Sequence, residues 1–358
     1  MSRRTRGWYA VLPALGLASA AWGQSEAATG QTGDSTAEPP IELTTQQVVQ
    51  IVDEMLDRIE AAGESKLSET SAAELTRLLE GVRARDLADP WLPYLYGRAL
   101  TVMGRRGDAR DQLRKFIETR EGRSEWRAHR VLADLLLDEF PRLAKSYYDK
   151  AAALKQNEPS VLLGLSLCAG KLAEHAQAVT YAQRAVAAVG RGNLLYVSQL
   201  ARSLMAERRW PEAQKEADAA LELALAAMRS RAGQRTPLLA VDEQYRLAIE
   251  IAQERSNQSP EAGEHYVRLA DLMRKREQIR VILALHDILG LVEAGVRNAG
   301  AKAPAQLLEQ YAVLLAEVGR NDEARARFEE LLQKDPSNAA AKDWLGRLPA
   351  ATSDSSSP

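Results

Sequence analysis

A short pattern returns along the middle of this chain. A large residue is followed by a small one and, three positions later, by an apolar residue. After a turn comes a second small residue. Tyr96-Gly97-x-x-Leu100 precedes Ala109, and Leu132-Ala133-x-x-Leu136 precedes Ala144 after a turn one residue shorter. Leu165-Ser166-x-x-Ala169 precedes Ala178, and Leu200-Ala201-x-x-Leu204 precedes Ala213. The first small residues, Gly97, Ala133, Ser166 and Ala201, lie 36, 33 and 35 residues apart. Apolar residues three and four apart share one face of a helix. Paired small residues let two antiparallel helices cross closely, where larger side chains would hold them apart. A fixed period of this length is the mark of stacked supersecondary units, each burying its face against the next.

A last unit carries the pattern most fully: Tyr311-Ala312-x-x-Leu315, then Gly319, Ala324, Phe328 and Pro336. Together these units resemble the tetratricopeptide repeat family, whose period is about 34 residues. The resemblance implies an all-α solenoid of helix–turn–helix repeats wound as a right-handed superhelix. It spans four units over 90–228, a degenerate unit and long helix over 229–298, and a final repeat over 305–338. Gly97, Ala109, Ala133, Ala144, Ala178, Ala201, Ala213, Ala312, Ala324 and Pro336 are the expected repeat-packing positions. Met273 to Val296 reads as one long amphipathic helix continuing the preceding one, with Ile279, Ile282, Leu283 and Leu289 inward. Residues 339–348 read as a capping helix, which a solenoid needs to close its last apolar face.

The flanks are of another kind. Arg3, Arg4 and Arg6 precede an apolar run from Trp8 to Ala21, with small residues at Ala21 and Gly23. That layout is a secretory signal over 1–23, cleaved before Gln24, with Ala20 as the alternative site. The run is too short to span a bilayer comfortably, which takes roughly 20 residues. The other reading is an uncleaved N-terminal anchor. Residues 24–40 and 349–358 are polar, Ser- and Thr-rich segments without enough apolar surface to order themselves. Between them, 41–89 reads as an N-terminal helical pair, with the alternative role of an oligomerisation element. The chain is expected to be exported, periplasmic or extracellular, with no transmembrane segment once processed.

Composition narrows the function classes. Aromatics are 5% and there is 1 Cys, which disfavours β-sandwiches and excludes an intramolecular disulfide framework. The balance of 47 basic against 49 acidic residues lacks the basic excess of a nucleic-acid binder. The 4 histidines, His129, His175, His265 and His286, have no metal-ligand spacing, so no metal is expected. Gly164-Leu-Ser-Leu-Cys168 lacks the closing glycine of a nucleophile elbow and sits in helical sequence. Gly170-Lys171-Leu172 lacks the hydroxyl of a phosphate loop. Cys168 reads as a small buried hydrophobe. Asp53 and Asp57, one helical turn apart, read as solvated. No catalytic residue and no cofactor is expected.

In the family, the first helices of the repeats line a concave groove. The resemblance places Trp91, Tyr94, Arg98, Arg127, Arg130, Asp134, Lys171 and Arg202 there. Aromatic faces beside guanidinium groups suit an extended peptide with acidic groups. The family's carboxylate clamp uses asparagines where this chain has Arg98, Asp134, Leu167 and Arg202. The expected function is a non-catalytic scaffold binding a protein or peptide in the cell envelope, with self-association possible. The alternative is a helical-array enzyme or small-ligand binder acting on cell-wall material, marked by a deep pocket with inward carboxylates.

Overall fold

The computed structural model describes residues 47, 50–55 and 90–349. The segments expected to be a signal sequence and a linker, most of the expected N-terminal pair (Asp57 included) and the expected tail lie outside them. Among the described residues there is no strand. The chain divides into two compact units, 1–156 and 157–358.

In the first unit a helical segment, 50–55, precedes α1 (Leu92–Val102), α2 (Arg106–Glu118), the single-turn α3 (Arg120–Ser124), α4 (Trp126–Leu136) and α5 (Pro141–Leu154). Helices α1 and α2 pack as one hairpin and α4 and α5 as the next. A Cβ on Gly97 would meet Leu113 Cγ at 2.7 Å, so glycine there sets how closely α1 and α2 approach. Ala109, Ala133 and Ala144 are fully buried at the same crossings. Pro141 opens α5, where its missing N–H has no helical partner to lose. Thr119 caps α3 and Glu125 caps α4 through side-chain oxygens.

The second unit contains α6 (Pro159–Lys171), α7 (His175–Val189), α8 (Leu194–Ala206), α9 (Trp210–Ser230), α10 (Arg235–Gln258), α11 (Gly263–Ala299), α12 (Ala305–Glu317), α13 (Asn321–Lys334) and α14 (Ala339–Arg347). Each helix packs against the next in sequence. Ala178, Ala201, Ala213, Ala312 and Ala324 are buried, and Cys168 is buried within α6. Pro336 is exposed rather than packed. It lies two residues beyond α13, where it restricts Asp335 away from helical geometry and stops the helix. Asn338 then caps α14 by accepting from Ala341 N at 2.8 Å.

Four of the hairpin turns share one geometry. Gly104, Ala173, Arg208 and Gly319 all adopt positive φ, at 74°, 59°, 61° and 85°. In each, the next residue's N–H bonds five residues back: Arg105 to Leu100, Glu174 to Ala169, Arg209 to Leu204 and Arg320 to Leu315. This is the Schellman closure, which satisfies the last carbonyls of the first helix. Gly107 lies inside α2 and is not part of the turn.

The long helix α11, 37 residues, joins two apolar cores. Leu272 and Ile279 belong to a core built from α7 to α11. Leu289 belongs to a second, completed by Leu308, Leu315, Phe328, Leu331 and Ala341. The run is free of proline, in keeping with one uninterrupted helix.

Candidate binding surfaces

Three of the first-unit residues expected to line a groove, Tyr94, Arg98 and Arg127, converge instead on a carboxylate of the chain itself. Tyr94 OH donates to both oxygens of Asp53, at 2.7 and 2.9 Å. Arg98 Nε donates to Asp53 Oδ1 at 3.1 Å, and Arg127 Nε lies 3.9 Å from Oδ2. Tyr94, Arg98 and Asp53 are 0%, 1% and 6% exposed. Tyr94 and Arg98 therefore present no open face, and Asp53 is not solvated. The reason is stoichiometric: a buried guanidinium needs a counter-charge, and the segment 50–55 supplies it. Burial, and then the charge of Asp53, pushes the Tyr94 phenol well above its ordinary range.

Beneath this cluster lies an aromatic trio. Trp91, half-buried, meets Tyr94 edge-on at 5.8 Å and Phe116 at 5.1 Å, while Tyr94 and Phe116 are 5.2 Å apart. Trp91 is thus partly committed to packing. Arg130 donates to Asp134 at 3.0 Å, and Tyr148 OH donates to the other oxygen of Asp134. Arg127 remains about half exposed, with its guanidinium 5.0 Å from the Trp126 ring; Lys155 lies 4.3 Å from the same ring.

In the second unit Lys171 is exposed at the end of α6. Arg202 is half-buried and pairs with Glu243 of α10, which also accepts from Arg246 at 2.8 Å. Burial alone would raise Glu243; the two guanidinium hydrogen bonds outweigh it and hold the carboxyl low. Between the first helices runs a buried polar seam. Ser166 Oγ donates to Ala178 O at 2.9 Å, Gln199 donates to Ser166 at 3.1 Å, and Ser198 donates to Gln244 at 2.9 Å. These bonds tie α6, α8 and α10 together in a fixed register. Among the described residues no cluster of His, Cys, Asp or Glu can hold a metal ion. No helix among them is long and apolar enough to cross a membrane.

One surface escaped the repeat pattern. Val281, Ala284, Ile288 and Leu291 occupy one face of α11 and are exposed, Val281 by 62% and Leu291 by 76%. The opposite face carries Ile279 and Leu289 into the two cores. The signal was present in the sequence: from 279 to 292 this helix is apolar on both faces, more than one core contact requires.

The close crossing at small residues, the Schellman turn and the alternation of paired helices decide the architecture. Each regular hairpin has the tetratricopeptide fold. No protein-family model matches the chain, and no curated protein does. Similar solved structures include a crystal structure of MamA protein, at 16% identity over 52% of this chain and 96% of that one, TM-score 0.37. Pseudomonas aeruginosa pilF matches at 17% identity over 72% and 97%, TM-score 0.38. The Cut9–Hcn1 hetero-tetramer of APC/C matches at 14% identity over 84% and 52%, TM-score 0.43. The assignment itself rests on the hairpin geometry above.

Proposed function

We propose that this chain is a non-catalytic scaffold that binds another protein through an apolar helix or peptide, after export to the cell envelope. The observation that carries the reading is the uncovered apolar row on α11. Val281, Ile288 and Leu291 recur at helical spacing on a rigid helix held from behind by two cores. An exposed row of this kind is suited to the apolar face of a partner helix. Export is supported by the basic start, the short apolar run and the small residues before Gln24.

Crosslinking and capture with the full chain in its native compartment test this. Val281→Asp with Ile288→Asp should abolish capture of a stoichiometric partner at unchanged helicity and unchanged melting. Capture that survives both changes would overturn the role of α11. Light scattering of the purified chain detects the case in which the captured partner is a second copy. N-terminal sequencing of the secreted form should begin at Gln24; a retained leader would refute cleavage and favour the anchor, and a chain found only inside the cell would refute export.

A further inference from the structure

The exposed apolar row on α11 extends into the N-terminal half of the helix. Val267 is 72% exposed and Met273 53%, and Ala270 between them is exposed as well. Arg274 and Glu277 separate this stretch from Val281, Ala284 and Ile288 on the same face. Their side chains are 70% and 64% exposed. Each is paired along its own helix, Arg274 with Asp271 and Glu277 with Arg280, both at 2.8 Å. Exposed pairs of this kind hold weakly, so either charge can turn to another partner at little cost.

The face has a symmetry of its own. From Gly263 to Ile288 its positions follow at steps of 4, 3, 4, 3, 4, 3 and 4 residues, and all of them are exposed. Alternating steps of three and four are the spacing of a helix–helix seam. This series also reads the same from either end. A two-fold axis between Lys275 and Arg276 therefore lays the row on a copy of itself, with the two helices antiparallel. Such an interface is self-complementary: residue i meets residue j, and j meets i. Each branched side chain then falls opposite a small residue. Val267 meets Ala284, Val281 meets Ala270, and Ile288 meets Gly263, which has open space where a Cβ would stand. Arg274 falls opposite Glu277, twice. A shift of one heptad either way would set Glu277 against Val281 or Val267, so charge as well as size selects this register.

We propose that the partner received by α11 is a second copy of this chain, paired antiparallel along 263–288. The inference rests on α11 being the docking face, as proposed above. Arg274 and Glu277 form two reciprocal ion pairs at the centre. The branched residues on either side fill the spaces that the small residues leave, and Met273 covers the stem of Arg280 on the copy.

Light scattering of the full chain over a concentration series tests this. The parent should reach twice the mass of the monomer. Arg274→Glu sets acid against acid at both central pairs, and Glu277→Arg sets base against base. Each should weaken the dimer about tenfold or more at unchanged helicity. An equal mixture of the two single variants should recover the dimer, because every central pair is again opposite in sign. Single variants that associate like the parent overturn the proposal, as does a mixture that stays monomeric or a parent that is monomeric at every concentration. A monomeric parent that captures a different protein, and loses it on Val281→Asp with Ile288→Asp, refutes self-pairing and keeps α11 as a docking face. A dimer and a capture that both survive that variant refute the docking face itself.

Discussion

Removing Asp53 should unlock the first hairpin. Its carboxylate accepts two contacts from Tyr94 OH and one from Arg98 Nε, and Arg98 is 1% exposed. Asp53→Ala removes the carboxylate that Arg98 and Tyr94 share, and loss of one partner of a buried pair costs about 3–5 kcal/mol. Arg98→Met should cost less, because Asp53 keeps Tyr94 OH and gains from the half-exposed Arg127 at 3.9 Å. The double variant Asp53→Leu/Arg98→Met replaces the pair by apolar side chains but leaves the buried Tyr94 OH without its acceptor, so it should cost about 1–3 kcal/mol. That is less than the sum of the two singles, which marks coupling beyond the additivity expected of independent positions. Amide hydrogen exchange of α1, read by mass spectrometry, reports the opening free energy of this region. A loss below about 1 kcal/mol for Asp53→Ala would refute the reasoning, as would a double variant equal to the sum of the singles.

Ala173→Gly should raise the midpoint of the second unit by a few degrees. Relief of a left-handed φ of 59° gains about 1–2 kcal/mol and added chain entropy returns about half of it. Gly319→Ala should do the reverse, since its nearest obstacle is Gly233 N at 3.8 Å and the cost is conformational. Calorimetry that finds the same sign for both would dismiss the Schellman account. Gly97→Ala should destabilise by about 1–3 kcal/mol through collision with Leu113, whereas Gly290→Ala, in open space on α11, should stabilise by about 1 kcal/mol in urea titration. Alkaline melts carry the signature of Tyr94. Its phenol is raised in the fold, so its contribution is complete below about pH 10, the unfolded value, and is lost as pH rises through the folded value. Tyr94→Phe should remove that part of the slope. His129 and His286 are held below their ordinary value, chiefly by burial. Their contribution is therefore present above about pH 6.5 and lost as pH falls through the folded values, and acid melts of His129→Gln should show a shallower decline.

The hairpins were legible because helix crossing leaves a local trace: Gly97 and Ala109, or Ala201 and Ala213, cannot be large. The turns at Ala173 and Arg208 left no such trace, since the sequence holds a non-glycine residue in a left-handed position that the Schellman bonds enforce. The burial of Tyr94 and Arg98 was missed for a different reason. Arg98 was placed by its register in the repeat, but its surroundings depend on Asp53, 45 residues earlier and outside the regular units. No periodicity reports a counter-charge that arrives from elsewhere in the chain. His129 illustrates the same limit: its burial follows from the amphipathic stripe of α4, whereas its Nε2 contact, at 3.3 Å, depends on where the carbonyl of Arg123 falls.

The sharing of α11 between two cores has a mechanical consequence. Ile279 and Leu289 are ten residues apart on one unbroken helix, a spacing of about 15 Å that no side-chain repacking can stretch. Tension applied at the C-terminal repeat passes through that single rod before it reaches α10. A load applied between Val281 and Ile288 enters between the two anchors, so both resist it at once. A pull on the middle of α11 is therefore shared by the two cores.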